Sequence, residues 1–132
     1  MKDITVVSFP KEGYQPLVDF EGWRVAVLRY CNDTTIDAIK TMQRHEKTDE
    51  VFVLISGSCT LFTAGDADKP GELVAWYMET DKVYNVKKGV WHNHILNEDG
   101  VVCIIENQNT SDENSPIINL TKEEILYIKK LV

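Results

Sequence analysis

No stretch of this sequence is both long and apolar. The longest unbroken run is Val51-Phe52-Val53-Leu54-Ile55, far short of the ~20 residues that a membrane-spanning helix requires. Met1 to Val7 holds one Lys followed directly by Asp3, so no secretory leader is expected there. Cysteine is scarce as well: Cys31, Cys59 and Cys103 are isolated, odd in number and never spaced as CxxC. That excludes a disulfide framework and a cysteine zinc site. It points instead to small apolar roles within strands and to a reducing, cytoplasmic compartment. Positive charge is also short: 14 Lys and Arg face 21 Asp and Glu, a net charge of −7 with a pI near 4.9. A nucleic-acid surface needs clustered cations to displace counterions, and none is present. Anionic membrane surfaces are disfavoured on the same ground.

What is present is an ordinary globular composition. Hydrophobic residues make up 43% and charged residues 27% of 132 positions, the size of one domain with room for a core. Turn signals recur at short intervals, among them Pro10 to Pro16, Asn32-Asp33, Ser56-Gly57-Ser58, Ala64 to Gly71, Lys87-Lys88-Gly89 and Asn97 to Gly100. Between them, runs rich in Val, Ile, Tyr, Phe, Trp and Thr predict strands at 3–8, 23–31, 36–45, 50–56, 58–63, 73–78, 83–86, 91–96 and 101–106. Such spacing without a long intervening helix predicts an all-β sandwich or barrel. Val51 to Ile55 and Val101 to Ile105 are apolar on both faces, so each needs cover on two sides. A partner subunit is one candidate for that cover, which predicts a homodimer. Asn107 to Ser115 reads as an exposed polar loop, with Asp112 and Glu113 on a solvated face. Thr121-Lys122-Glu123-Glu124 has the form of a capping box, opening a C-terminal helix over 122–131 with Ile125, Ile128 and Leu131 on one stripe.

The chemistry-bearing residues are few and clustered. There are only three histidines, His45, His92 and His94, and all fall at the edges of predicted strands. Five residues after His45 comes Glu50, which opens the most apolar strand. Two imidazoles and one carboxylate form a facial set that leaves positions open on a divalent metal. Residues two apart on a strand share a face, so Gln43 can join His45, and His94 can join His92. Trp23, Trp76 and Trp91 read as core or subunit-contact residues. Phe52 and Leu54 share the face of Glu50 and form an apolar wall to the expected cavity, with Tyr84 at its mouth.

These residues resemble a known family. Gln43 to Gly57 is similar to the first motif of the cupins: two His separated by one residue, then four residues, a Glu, six residues and a Gly. His45, Glu50 and Gly57 match the second His, the Glu and the Gly. The second cupin motif, Pro-x-Gly-x-x-His, resembles Lys87 to His92, with Gly89 and His92 matching. Gln43 stands where the first His would be, Lys87 replaces the Pro, and Leu96 replaces a trailing Asn. The resemblance implies one cupin domain over 1–132, a double-stranded β-helix (jelly-roll barrel) with a C-terminal helix. Motif one spans about 43–57 and motif two about 87–96.

It further implies a divalent ion (Fe, Mn, Zn or Ni) held by His45, Glu50 and His92, with Gln43 or His94 completing the shell. His94 or Glu50, whichever is not ligated, would move a proton, and Phe52, Leu54, Tyr84 and His94 would line the substrate pocket. The expected activity is that of an isomerase, lyase or dioxygenase on a sugar or small carboxylate. Two alternatives stay open. One is a sugar-binding cupin without turnover. The other is a metal-free enzyme similar to ureidoglycolate lyases, which Gly89-Val90-Trp91-His92 resembles. A structural dimer with remnant histidines is a third.

Overall fold

The computed structural model describes residues 3–132; Met1 and Lys2 lie outside them. Its strands are β1 (Gly13–Phe20), β2 (Trp23–Arg29), β3 (Thr41–Gln43), β4 (Glu50–Ser56), β5 (Cys59–Thr63), β6 (Val74–Tyr77), β7 (Val83–Val86), β8 (His92–Leu96), β9 (Val101–Asn107) and β10 (Ile117–Asn119). One helix, α1 (Lys122–Leu131), follows. The strands form two five-stranded antiparallel sheets, ordered β1-β2-β9-β4-β7 and β10-β3-β8-β5-β6. The all-β fold expected from strand spacing is observed, in the jelly-roll form that the family resemblance implies.

The core between the sheets follows from two-residue alternation. Ala26 and Leu28 of β2, Phe52 and Leu54 of β4, Leu61 of β5 and Val102 and Ile104 of β9 all point inward and pack together. The outer face of the second sheet is covered differently. Phe62, Met42 and Trp91 pack there with Leu120 and with Ile128 of α1. The helix starts where expected: Thr121 Oγ1 accepts from Glu124 N, and Glu124 Oε1 accepts from Thr121 N. Those bonds satisfy two donors that a helix start would otherwise leave unpaired.

Four expectations about elements are corrected. Residues 3–8 form no strand. Their place at the sheet edge is taken by β1, within a stretch that reads as a turn because of Pro16. Proline lacks an N–H and is tolerated at an edge strand; β1 is an edge, with a register shift between Pro16 and Val18. The run 36–45 is mostly not strand. Thr34 Oγ1 bonds back to Cys31 N and Cys31 O, and such local bonds draw the backbone into tight turns. Only Thr41–Gln43 remains extended, so Cys31 lies beyond β2 rather than within a strand. Finally, the polar stretch after β9 returns to pair as β10 with β3, Ile118 opposite Met42.

Gly57 has a structural reason for being glycine. Its φ is +68°, and a Cβ there would lie 2.4 Å from Asp99 C. No side chain fits, so the tight β4–β5 turn requires that residue.

Candidate metal centre

His45, Glu50 and His92 converge although they come from three places in the chain. Glu50 opens β4, His92 opens β8, and His45 lies just beyond β3. Their ligand atoms all fall within 4.8 Å of one another, and all three residues are buried. Glu50 Oε1 lies 3.0 Å from His92 Nε2 and 3.3 Å from His45 Nε2. The rings of the two histidines are 5.1 Å apart.

The other ring nitrogens are already committed. His92 Nδ1 lies 2.9 Å from Val90 O; a carbonyl only accepts, so this nitrogen carries the proton. His45 Nδ1 lies 2.7 Å from Ser115 Oγ. Ser115 in turn donates its single proton to Asn114 Oδ1 at 3.1 Å, so His45 Nδ1 is the donor. Each Nε2 therefore faces a carboxylate oxygen, and unless it too carries a proton it turns a lone pair toward it. Three electron-rich atoms facing each other need a cation among them, either a proton or a metal ion. The donor set thus fits a divalent metal, and the hydrogen bonds from Nδ1 are of the kind that orient metal-binding histidines.

Ionisation follows the same geometry. Burial pushes the Glu50 carboxyl up, but hydrogen bonds with His45 and His92 and the charge of His92 outweigh it and hold Glu50 well below the usual carboxylate range. Burial pushes His45 down, while its bond to Glu50 carries it above the ordinary imidazole value. His94 has no such compensation: burial pushes it down to about 4, and its Nδ1 is buried without a partner.

The three residues stand in a cavity of about 320 Å³ also lined by Gln43, Phe52 and His94. Gln43 Nε2 donates to Ser115 O at 3.0 Å, which leaves Oε1 as its ligand atom. His94 lines the cavity but is not among the three whose ligand atoms converge. Leu54 does not line it; that side chain is packed in the core between the sheets. Tyr84 does not line it either. Its ring borders a different cavity, its Oη accepts from Glu79 N at 3.0 Å, and it stands on the edge strand β7, opposite Phe52.

Several cavity residues escape sequence reasoning. Arg24 and Glu106 are cross-strand partners on β2 and β9 and form an ion pair at 2.7 Å with both side chains largely buried. Tyr14 Oη donates to the same Glu106 oxygen at 2.7 Å. Burial, and then the neighbouring Glu50, push the Glu106 carboxyl up. A usable signal exists in the alternation: Arg24, Glu50 and Glu106 are charges at inward positions of apolar strands. Tyr14 carries no such signal, since β1 itself is hidden by Pro16. Ser115 belongs to the stretch read as an exposed loop, yet it is only 2% exposed. Asp112 also turns out to line the cavity.

No protein-family model matches the chain, and no curated protein matches it. Solved structures do. The chain is similar to the capsular polysaccharide assembling protein CapF from Staphylococcus aureus (TM-score 0.58, 16% identity), over 87% of this chain and 34% of that one. It thus spans about a third of CapF. It is similar to a cupin-2 domain containing protein from Shewanella frigidimarina (TM-score 0.53, 17% identity), over 76% of this chain and 85% of that one. It is also similar to WlaRA, a TDP-fucose-3,4-ketoisomerase from Campylobacter jejuni (TM-score 0.56, 15% identity), over 83% of this chain and 76% of that one. Two antiparallel sheets, with β4 and β8 carrying Glu50 and His92 into one cavity, give this chain an all-β jelly-roll fold like that of the cupin-2 domain containing protein.

Proposed function

We propose that residues 1–132 form one cupin domain that binds a divalent metal ion through His45, Glu50 and His92 and acts on a small polar, sugar-like substrate. The observation that carries this reading is the pair of Nε2 atoms converging on the Glu50 carboxylate, with both Nδ1 atoms already used. Gln43 is the further ligand, through its amide oxygen. Two imidazoles with a carboxylate suit Fe, Mn, Zn or Ni. Such an ion, when bound, polarises a carbonyl or hydroxyl oxygen of the substrate.

The chain's own residues supply the rest. Arg24, Glu106 and Tyr14 offer donors and acceptors on one side of the cavity, suited to hydroxyl groups. Phe52 gives an apolar face, packed edge-on to His92 at 6.4 Å. His94, whose Nδ1 has no partner, is the ring free to exchange a proton with the substrate. A sugar is favoured over a carboxylate because Glu50, Glu106 and Asp112 already crowd the cavity with negative charge. Among the similar structures, the ketoisomerase acts by name on a TDP-linked sugar, which supports the same class.

Elemental analysis of the purified protein tests the assignment, with near one equivalent of metal per chain expected. His45→Ala and His92→Ala should each lose it while keeping the far-ultraviolet dichroism of the folded chain. Full occupancy in either variant would overturn the ligand set.

Two further features belong to this reading. The outer face of the β1-β2-β9-β4-β7 sheet leaves Phe20, Trp23 and Ile105 exposed, which supports a homodimer formed on that face. Sedimentation velocity should show a dimer in the wild type and a monomer in Trp23→Glu. The cysteines are all free and no helix among the described residues is long and apolar enough to cross a membrane. Free thiols support a cytoplasmic location.

A further inference from the structure

The roomier of the two main cavities is not the one that holds the histidines. A second one, of about 440 Å³, opens between β6 and β7, the strands that end their respective sheets. Leu61, Trp76, Tyr84, Val86 and Val90 line it, with Lys87. Its size is within the range of small-molecule sites, and its makeup is of the expected kind: apolar and aromatic, with few polar groups.

Both aromatic rings have their polar atoms satisfied elsewhere. Trp76 Nε1 donates to Thr63 Oγ1 at 2.9 Å, and Tyr84 Oη accepts from Glu79 N. Their rings are thereby held in place as apolar surfaces. Trp76 pairs with Leu61 and so points to the inside of the barrel, yet it is 49% exposed. No strand bridges β6 and β7, so an inward tryptophan stands half in water. Lys87 makes no ion pair among the described residues. The neighbouring Asp49 has both oxygens engaged, one by Lys88 N and the other by Asn85 Nδ2. The apolar lining and a single unpaired ammonium together define what fits.

We propose that this cavity is a second small-molecule site, separate from the metal centre, for a planar aromatic compound carrying one anionic group. The ring lies against Trp76 and Tyr84, and the anion meets Lys87. Charge complementarity at Lys87 selects the anion, because no other cation lines the cavity.

Titration of the metal-free protein with 1-naphthoate, followed by the Trp76 indole N–H resonance, tests the site. A saturable shift is expected, with weaker binding of the neutral 1-naphthamide. Lys87→Gln should weaken naphthoate about two- to fivefold, as for an exposed ion pair, and erase its advantage over the amide. Trp76→Ala should weaken both probes about tenfold or more through lost ring contact. His45→Ala should leave naphthoate binding unchanged. The proposal fails if no saturable shift occurs. It fails equally if binding survives Trp76→Ala and disappears in His45→Ala, which would place the probe at the histidines. A dimer that Trp76→Ala dissolves would overturn it too, by showing that a second copy fills the cavity.

Discussion

The two cavities draw on the same rungs of neighbouring strands, and their chemistry is opposite. Glu50 of β4 lines one, while its cross-strand partner Val86 of β7 lines the other. His94 of β8 lines the first, and its partner Leu61 of β5 lines the second. The first holds its polar groups by bonds between them, His45 to Ser115, His92 to Val90, Glu106 to Arg24 and Tyr14, though Arg24 Nε, His94 Nδ1 and Glu106 Oε2 are buried without a partner. In the second, apolar side chains need no such partners and leave a roomier space. Burying charge demands a network, whereas burying apolar surface demands only fit. Strand order is what divides the interior, since on one rung one strand carries a carboxylate or an imidazole and the strand beside it a hydrocarbon.

The strongest way to break that division is to remove a residue between the two halves. Phe52 is 1% exposed, on the rung of Tyr84 and beside the histidines. Phe52→Ala should lower stability by about 3–5 kcal/mol, as for large core truncations, measured by urea unfolding. A loss under about 1 kcal/mol would mean that the interior collapses to fill the gap.

A subtler cut isolates the polar half. Ser115→Ala removes the hydroxyl that holds His45 Nδ1 without touching a ligand. Metal affinity should fall about 10- to 100-fold, the usual effect of losing such a support, with the fold intact by circular dichroism. Competition with a chromophoric chelator would measure it; an unchanged affinity would show that His45 is held by packing alone.

A third test needs no substitution and probes the apolar core. Cys59 is buried there, and burial pushes its thiol up to about 12. Only the thiolate reacts, so raising the value lowers the reactive fraction at pH 8 by about a thousandfold relative to an ordinary thiol. Timed iodoacetamide labelling read by mass spectrometry should modify Cys59 last of the three cysteines, and quickly only after denaturation. Early labelling of Cys59 would mean that this part of the core opens readily.

The strands β4, β5, β8 and β9 were legible in the sequence as apolar and β-branched runs between turn signals, and so was the C-terminal helix from its capping box. The placement of His45, Glu50 and His92 at strand edges likewise pointed to one site, and the resemblance of Gly57 and Gly89 to the cupin motifs agreed with it. These are local features: a strand's face is set by a period of two, and a cap by residues three apart. Pro16 hid β1, because whether a proline is tolerated depends on whether the strand lies at an edge. The register that brings Arg24 beside Glu106 joins residues 82 positions apart, beyond the reach of local pattern.

The assignment of Tyr84 and Leu54 to the histidine cavity went wrong for the same reason. Sharing a face does not mean lining the same cavity: Tyr84 stands on the rung of Phe52 but on the neighbouring edge strand. By itself the sequence determined which residue types could form a barrel and which few could hold a metal. Only the tertiary structure decided that Ser115 closes over His45, that Arg24 and Tyr14 face Glu106, and that Tyr84 belongs to a separate cavity. Contacts between distant segments depend on strand order and register, which long-range packing selects.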